Sequence, residues 1–248
     1  MIAVRSGLFY VVYVLAATWF GATAPLIAWL PFRYRFRYVR GWNHVVLAAL
    51  RIICGIRTRV HGLDNIPDRP CVVMCKHQSQ WETYYLQVVF TPLCTILKQE
   101  LLSIPIFGWG LRQMSPIAID RTAPRDALRK VQQQGLQRLT NGASVLVFPE
   151  GTRVAPGEHR RYARSGASLA ISASAPILPI AHNGGLFWPA DGYKKFPGVV
   201  DVVIGAPIDP LSGDARALTE RVEEWIETES NRLLAAARAT AAKPNEGG

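Results

Sequence analysis

The hydrophobic positions of the chain form one long uncharged stretch, followed by short apolar runs that alternate with amphipathic segments. Residues 6–32 contain no charged side chain. Short apolar runs, each long enough for one buried strand, recur at six places: 71–75, 94–97, 115–119, 144–148, 177–181 and 199–204. Residues 124–141 and 215–237 repeat apolar side chains at helical spacing. This pattern predicts an α/β fold with a mixed central sheet flanked by helices, behind an N-terminal hydrophobic helical region.

The uncharged N-terminal stretch predicts membrane attachment. It is longer than the ~20 apolar residues that a spanning helix needs. A secretory signal peptide normally has a shorter apolar region and a small-residue cleavage site before a polar mature start. Gly21 and Pro25 interrupt the stretch, so it is either a kinked span or a helix that breaks and re-enters at the membrane interface. Residues 45–56 predict a second apolar helix.

A basic-aromatic segment lies between these two apolar segments, at residues 33–40. Arginine and aromatic side chains can stack on nucleic-acid bases, but directly after an apolar stretch they are typical of a belt at the lipid headgroups. If the first stretch spans the inner membrane, this positive cluster places the rest of the chain on the cytoplasmic side. We therefore predict an N-terminal anchoring region with this belt (1–57), an α/β domain (58–240) and a disordered tail (241–248).

Charge and cysteine content narrow the function only slightly. The formal net charge is +10 and the isoelectric point is about 9.8. A basic surface suits anionic lipid, a phosphorylated substrate or nucleic acid, and does not choose among them. Cys71 and Cys75 lie in an apolar run, where buried free thiols are common. Together with His77 they match no zinc pattern, and a nucleophilic Cys75 beside His77 is a further alternative.

The segment that follows the run 71–75 carries the first candidate chemistry. His77 comes directly after this predicted strand, and Glu82 lies five residues further on. Ser79 and Glu82 have the spacing of a capping box, which places His77 in the turn between strand and helix. An imidazole there can take a proton from a hydroxyl, and a carboxylate on its other ring nitrogen would fix the tautomer. The alternatives are that Glu82 only caps the helix and that His77 is a polar loop residue.

A second segment extends this pattern, because the run 144–148 leads directly into Pro149-Glu150-Gly151-Thr152-Arg153. Four blocks therefore occur in order over residues 60–207: His77…Glu82, Ile117-Ala118-Ile119-Asp120-Arg121, Phe148 to Arg153, and Ile177-Leu178-Pro179-Ile180. In their order and spacing they resemble the blocks of the glycerolipid acyltransferase family, which includes bacterial 1-acylglycerol-3-phosphate acyltransferases. The family's first block ends in Asp. Glu82 keeps the charge and adds a methylene, so contact with His77 is still possible.

The resemblance implies a membrane-bound enzyme that transfers a fatty acyl group from an acyl thioester to the sn-2 hydroxyl of lysophosphatidic acid, giving phosphatidic acid. It implies that His77 is the general base and that Glu82 orients it. Acyl-CoA or acyl carrier protein is the implied donor, and the lipid bilayer and lysophosphatidic acid are the implied partners, without nucleic acid. We expect no metal and no other cofactor, because a thioester is already activated and the hydroxyl needs only a base.

Six further residues are expected to bind substrate: Lys98, Arg121, Glu150, Gly151, Thr152 and Arg153. An arginine at a strand end can form two parallel bonds to a phosphate, and the alternative for Arg121 is an ion pair with a neighbouring carboxylate. Lys98 resembles the lysine of the family's Lys-x-Glu-Leu segment, which lies near the acceptor phosphate. The alternative is a solvated lysine without a role in binding. Glu150 could bond glycerol hydroxyls, and Gly151 would let the backbone approach a ligand. The alternative is that these two residues only form a tight turn after the strand.

Some assignments stay open at this point. His182, after the last block, either lines the pocket or ends its strand. A different acceptor, such as lyso-ornithine lipid, would keep the chemistry and suit a pocket with little phosphate recognition. A basic membrane-anchored protein that binds nucleic acid or other partners without catalysis is the alternative of a different class, and residues 33–40 are its best feature. The ordered blocks favour the enzyme.

Overall fold

The computed structural model describes residues 1–242 of the 248-residue chain. Its helices are α1 (Ile2–Thr23), α2 (Phe32–Ile53), α3 (Trp81–Val89), α4 (Phe107–Gln113), α5 (Pro124–Thr140), α6 (Ser165–Ala173) and α7 (Ala215–Ala242). Its strands are β1 (Ile56–His61), β2 (Val72–Cys75), β3 (Leu93–Lys98), β4 (Ile117–Ile119), β5 (Ser144–Val147), β6 (Ile177–His182) and β7 (Gly198–Ile204). Strands and helices alternate through most of the chain, so the predicted α/β class is confirmed.

The strands form one mixed sheet in the order β1-β7-β6-β2-β5-β3-β4. From β6 to β4 neighbouring strands are parallel. β7 pairs antiparallel with β6 and parallel with β1, which confirms the predicted mixed sheet. Because parallel strands end at the same side of a sheet, the residues that follow β6, β2, β5, β3 and β4 lie along one edge, where α/β folds bind their ligands. We call it the carboxyl edge.

Two apolar cores cover the two faces of the sheet. Successive side chains of a strand point to opposite faces, so Val73 and Cys75 join the core under α1, α2 and α3, while Val72 and Met74 join the core under α5, α6 and α7. All four residues of β2 are buried. The turn that carries His77 therefore begins on a strand that is fully packed from both sides.

α2 is longer than the sequence predicted. The prediction of a helix beginning at residue 45 is wrong, because α2 begins at Phe32, directly after Pro31, and contains the whole basic-aromatic segment 33–40. Its buried side chains recur at helical spacing: Phe36, Val39, Trp42, Asn43, Val46, Ala49 and Leu50. Because arginines alternate with the aromatic residues in this segment, the helical spacing of its buried side chains was not recognised from the sequence.

α1 is apolar on two opposite faces. One face packs against the rest of the chain along the whole helix. Near its start, Phe9 is fully buried and packs edge-to-face on Trp188, with 5.3 Å between ring centroids. Near its end, Gly21 lies so close to Ile106 that a Cβ there would be 2.4 Å from the Ile106 carbonyl oxygen. The other face exposes large apolar side chains: Val4, Leu8, Val11, Val14, Leu15 and Trp19. The helix is therefore docked on the protein and still presents an apolar stripe outward.

The chain breaks where Pro25 predicted an interruption, at a 3₁₀ turn over Ala24–Ile27, and then reverses into α2. In the described residues, Ile2–Ile27 is the one helical segment long and apolar enough to cross a membrane, judged by length and composition alone. The predicted boundary between residues 57 and 58 stays a prediction.

Two smaller differences concern helix ends. α3 begins at Trp81, two residues after the Ser79 that the sequence placed at its start. α7 continues to Ala242, so the first two residues of the predicted disordered tail 241–248 are helical, as expected for an alanine-rich end. The remainder of that tail lies outside the described residues.

Candidate active site

The turn between β2 and α3 brings His77 and Glu82 into contact. Nδ1 of His77 lies 2.8 Å from Oε1 of Glu82. The same oxygen accepts the backbone N–H groups of Gln78 at 3.0 Å and Ser79 at 2.9 Å. Glu82 therefore satisfies the start of the helix, as a capping residue does, and also holds the imidazole. The predicted contact between His77 and Glu82 is present, and the role of the pair in catalysis stays a prediction.

The imidazole ring of His77 is fixed in one orientation. Phe148 stacks on it, with 3.9 Å between ring centroids and an interplanar angle of 15°. The His77 side chain is 17% exposed, whereas that of Glu82 is completely buried. An ionised carboxylate can only accept hydrogen bonds, so Nδ1 carries the hydrogen and Nε2 is the unprotonated nitrogen. Among the described residues Nε2 has no hydrogen-bond partner, which leaves it available as a base.

Glu82 keeps its charge although it is buried. Burial raises the pKa of this carboxyl, but nearby His182, the hydrogen bond from His77 and the N–H group of Ser79 together lower the pKa below its ordinary value. The second oxygen, Oε2, has no hydrogen-bond partner in the described residues and lies 3.9 Å from Nε2 of His182. The site thus holds a carboxylate whose closest favourable contact is His77.

His182 supports this carboxylate from the end of β6. Its Nε2 donates to the carbonyl oxygen of Lys76 at 2.8 Å, and its Nδ1 accepts the N–H group of Gly184 at 3.0 Å. Burial lowers the pKa of His182, although Glu82 and the bond to Lys76 act in the opposite direction. Burial therefore favours the neutral form of His182, whereas the Glu82 carboxylate, 3.9 Å from its Nε2, favours the charged form.

Glu150 lies on the other side of the His77 turn, after β5. Its carboxyl is buried and accepts the backbone N–H of His77, at 3.4 Å and 3.2 Å to its two oxygens. Burial raises the pKa of Glu150 to about 7, even though Lys76 lowers it. The bond from Glu150 to glycerol hydroxyls stays a prediction, and in this structure the carboxyl is directed at the backbone of His77.

The residues after Glu150 form a tight turn that is tied to His77. Gly151 has a φ of +71°, a conformation that favours glycine. Nothing lies near the position of a Cβ on Gly151, so the backbone there is open to a ligand. Val154 donates its N–H to the carbonyl of His77 at 2.7 Å. Thr152 is partly buried in this turn, and the exposed Arg153 donates to the carbonyl of Ala190 at 3.4 Å.

Lys98 and Arg121 lie on the same carboxyl edge, further from His77. Both are exposed, and neither forms an ion pair with any described residue. The carboxylate next to Arg121, Asp120, instead accepts the N–H and hydroxyl of Thr122. With strands ~4.8 Å apart, the ends of β3 and β4 lie about 10 and 14 Å from the end of β2. Arg121 is therefore the most distant of the predicted substrate-binding residues.

The cysteines do not take part in this site. Cys54, Cys71, Cys75 and Cys94 are all free and buried, as expected for two of them from the sequence. Burial, followed by the negative charges of Glu82 and Glu150, raises the pKa of Cys75 well above its ordinary value. This shift and the complete burial of the side chain disfavour a nucleophilic thiolate at Cys75. Within residues 1–242 no group of three or more His, Cys, Asp or Glu side chains is arranged to hold a metal ion.

The fold and the site together define a class of protein. A histidine with one nitrogen held by a buried carboxylate and the other nitrogen free can deprotonate a hydroxyl. It lies at the carboxyl edge of an α/β sheet, and exposed cations follow along the same edge. Such an arrangement suits an enzyme that activates a hydroxyl nucleophile.

Comparisons with known proteins give the family. A family model described as "Acyltransferase" matches residues 57–183. A 1-acyl-sn-glycerol-3-phosphate acyltransferase of Pseudomonas aeruginosa is 45% identical over 229 residues, which cover 90% of this chain and 89% of that protein. The human 1-acyl-sn-glycerol-3-phosphate acyltransferase alpha is 30% identical over 204 residues, with 77% of this chain and 72% of that protein covered. The chain therefore belongs to the acyltransferase family and is an acyltransferase, which confirms the resemblance of the four blocks.

A solved structure shares the fold. The crystal structure of the 1-acyl-sn-glycerophosphate acyltransferase PlsC from Thermotoga maritima has a TM-score of 0.78 with this chain at 24% sequence identity. The match covers 94% of this chain and 96% of that one.

Proposed function

We propose that this acyltransferase uses lysophosphatidic acid as its acceptor and transfers a fatty acyl group from an acyl thioester to the sn-2 hydroxyl, forming phosphatidic acid. The observation that carries the proposal is the His77–Glu82 pair, with Nδ1 bound at 2.8 Å and Nε2 free. The names of the two relatives support the acceptor, since 1-acyl-sn-glycerol 3-phosphate is lysophosphatidic acid.

The proposed reaction needs one base and no change of oxidation state. Nε2 of His77 takes the proton of the acceptor hydroxyl while its oxygen attacks the thioester carbonyl carbon. The imidazolium that forms is stabilised by the Glu82 carboxylate. The tetrahedral intermediate then breaks its carbon–sulfur bond, and the thiolate that leaves takes the proton back from His77. The products are the new ester and a free thiol, and the histidine returns to its starting state.

The exposed cations of the carboxyl edge are proposed to bind the acceptor phosphate. Arg153 follows β5, the strand next to β2, so it lies nearest to a hydroxyl held at His77. Lys98 is the next cation along the edge, and Arg121 is the most distant. We therefore expect Arg153 to contribute most to phosphate binding and Arg121 least.

The proposed substrate lies in a bilayer, so the enzyme must meet the membrane. The outward stripe of α1, with Leu26 and Trp29 exposed after it, supports attachment through this face. Since the opposite face of α1 packs on the catalytic part of the chain, we propose that the protein sits on one side of the membrane and does not cross it with a free helix. The arginines of α2 suit anionic headgroups, as on the cytoplasmic face of an inner membrane.

The acyl donor is proposed to be a thioester of coenzyme A or of acyl carrier protein. Both donors present the same thioester carbonyl to the acceptor hydroxyl, so the proposed reaction is the same with either. No cofactor is part of the proposal.

The acceptor is tested by offering membranes that carry the enzyme two acceptors that differ only in the phosphate, namely lysophosphatidic acid and the matching monoacylglycerol, with either acyl thioester. We expect transfer to lysophosphatidic acid alone. We also expect that Arg153→Ala lowers this transfer more than Arg121→Ala does. Equal transfer to both acceptors, or transfer to lyso-ornithine lipid instead, would rule out the proposed acceptor while leaving the acyltransferase class intact.

A further inference from the structure

A buried lysine lies directly behind the proposed catalytic histidine. Lys76 is the residue between β2 and His77, and its side chain is 1% exposed. Its Nζ lies 2.6 Å from Oε1 of Glu227 in α7, 3.1 Å from the carbonyl oxygen of Glu158 and 3.5 Å from Oε1 of Glu150. The hydroxyl of Tyr162 donates to the same oxygen of Glu227 at 2.9 Å. One ammonium group is thus shared between two carboxyl groups from distant parts of the chain.

The two carboxyl groups are not equivalent. Glu227 is 16% exposed, makes the shorter contact with Lys76 and also accepts the Tyr162 hydroxyl. The Glu150 side chain has no exposed surface and makes the longer contact. With both carboxyls ionised, one lysine would leave a net negative charge in a buried site, which is unfavourable. The geometry therefore leaves Lys76 mainly with Glu227, and leaves Glu150 as the group that takes up a proton.

The surroundings of Glu150 act on its pKa in both directions. Burial raises the pKa to about 7 and Glu227 also raises it, whereas Lys76 and backbone N–H bonds, including that of His77, lower it. The thiol of Cys75 and the hydroxyl of Tyr162 are the other titratable groups that face it, and the pKa of each is raised, by burial first and then partly by Glu150 itself. Both groups are therefore neutral near pH 7 and leave the balance at Glu150 to Lys76 and Glu227.

This network reaches the site through the backbone. Glu150 accepts the N–H of His77, and Lys76 is covalently adjacent to His77. A change in the Lys76–Glu227 contact therefore changes the charge of the group that holds the His77 turn in place. We propose that Glu227 and Tyr162 are positioning residues for acyl transfer, which act through Lys76 on Glu150 and so couple the C-terminal helix to the catalytic turn. This inference rests on the proposed role of His77.

Two substitutions shift Glu150 in opposite directions. Glu227→Gln removes the competing carboxylate, so Lys76 is left to Glu150 alone and the Glu150 carboxyl ionises at lower pH than in the wild type. Lys76→Met removes the ammonium, so the Glu150 carboxyl ionises at higher pH. A network that served only to hold α7 in place could shift the Glu150 titration in these variants but would leave the pH dependence of kcat/KM unchanged. Glu229→Gln is a matched control, because Glu229 is a similarly half-buried neighbour on α7 that pairs with Arg232 instead.

The test follows the protonated-carboxyl infrared band of the full-length protein as a function of pH, with Glu150→Gln identifying the band. The pH dependence of kcat/KM for acyl transfer is recorded on the same variants. We expect the pH midpoint of the Glu150 infrared band to fall in Glu227→Gln and to stay unchanged in Glu229→Gln. In Glu227→Gln, the part of the kcat/KM pH profile that follows Glu150 should shift by the same number of pH units. We expect Lys76→Met to move the midpoint upward.

The outcomes separate this inference from the proposed function. An infrared midpoint in Glu227→Gln equal to that of the wild type overturns the inference. If Lys76→Met does not fold, the Glu227→Gln titration decides the question alone. If the wild type transfers no acyl group to lysophosphatidic acid, the proposed function fails, and the infrared titration still reports whether Glu227 controls Glu150. A midpoint that moves in Glu227→Gln while kcat/KM keeps its wild-type pH profile shows that the network does not serve catalysis, and also overturns the inference.

Discussion

Replacing Glu82 by glutamine removes the charge that faces His77 and little else. The amide oxygen of Gln can still accept the N–H groups of Gln78 and Ser79 that Oε1 accepts in the wild type. The amide nitrogen takes the place of Oε2, near the N–H of His182, and finds no acceptor there. We expect this unpaired group to cost about 1–3 kcal/mol of folding stability, which leaves a folded protein for kinetic measurement.

The effect on catalysis follows from the geometry of the pair. When His77 takes a proton, a positive charge forms beside the carboxylate, with the charge centres about 4 Å apart. At an effective dielectric constant of about 20 this attraction is about 4 kcal/mol. A proton that is half transferred in the transition state gains about half of that energy, and a fully transferred proton gains all of it. Loss of the charge should therefore lower kcat by roughly 30-fold to 1,000-fold.

The assay is acyl transfer to lysophosphatidic acid at saturating concentrations of both substrates, normalised to folded protein measured by thermal unfolding. Glu82→Asp is the informative second variant, because it keeps the charge and withdraws it by one methylene. We expect its kcat to lie between that of the wild type and that of Glu82→Gln. A Glu82→Gln enzyme with kcat within about threefold of the wild type would refute the reasoning, since it would show that the imidazolium needs no counter-charge.

Three further predictions concern other parts of the structure. His182→Phe leaves the N–H of Gly184 buried without a partner and leaves the carbonyl of Lys76 only the weak thiol donor of Cys75, and we expect a loss of about 2–4 kcal/mol in denaturant unfolding. The raised pKa of Glu150, about 7 against an ordinary 4.5, means that the folded state binds this proton more tightly than the unfolded state does. Wild-type stability relative to Glu150→Gln should therefore fall by about 3 kcal/mol as the pH rises from about 4.5 to about 7. Leu15→Glu, in the outward stripe of α1, should weaken binding to anionic lipid vesicles by at least about tenfold.

Each of these has a result that would contradict it. A loss of under about 1 kcal/mol in His182→Phe would mean that the buried backbone groups find other partners. Parallel stability–pH curves for the wild type and Glu150→Gln would mean that Glu150 titrates normally. For the vesicle experiment the matched control is Leu128→Glu, which changes an exposed leucine of α5. Equal vesicle binding by Leu15→Glu and Leu128→Glu would show that the outward face of α1 is not the membrane-attachment surface.

The local parts of the fold and site were predictable from the sequence. The strand before His77 and the turn after it depend on apolar runs and on a capping pattern a few residues long, and both are present. The Glu82 contact was predictable in kind, because a strand-to-helix turn lets residues five apart meet. Its three-way hydrogen bonding was not, since it depends on the path of the backbone through Gln78 and Ser79.

The parts that failed involve longer distances or mixed patterns. α2 was predicted too short because the exposed arginines of residues 33–40 masked a buried stripe of helical period. In α5, Leu128 and Leu136 fit the expected apolar stripe but are exposed, whereas Val131, Gly135 and Leu139 are buried. The support of Glu82 by His182, and of Lys76 by Glu227, joins residues that are far apart in the chain. No local pattern carries such contacts, and they follow from the strand order and the docking of α7.

The most direct test of the account is acyl transfer by membranes that carry the wild type, His77→Ala or His61→Ala, supplied with lysophosphatidic acid and a labelled acyl thioester. His61 is a surface histidine of β1 with a side chain 55% exposed, and it serves as the matched control. We predict that the wild type and His61→Ala form phosphatidic acid at similar rates and that His77→Ala is slower by at least about 100-fold. A His77→Ala rate within about tenfold of the wild type would contradict the assignment of His77 as the base, and with it the mechanism proposed for this acyltransferase.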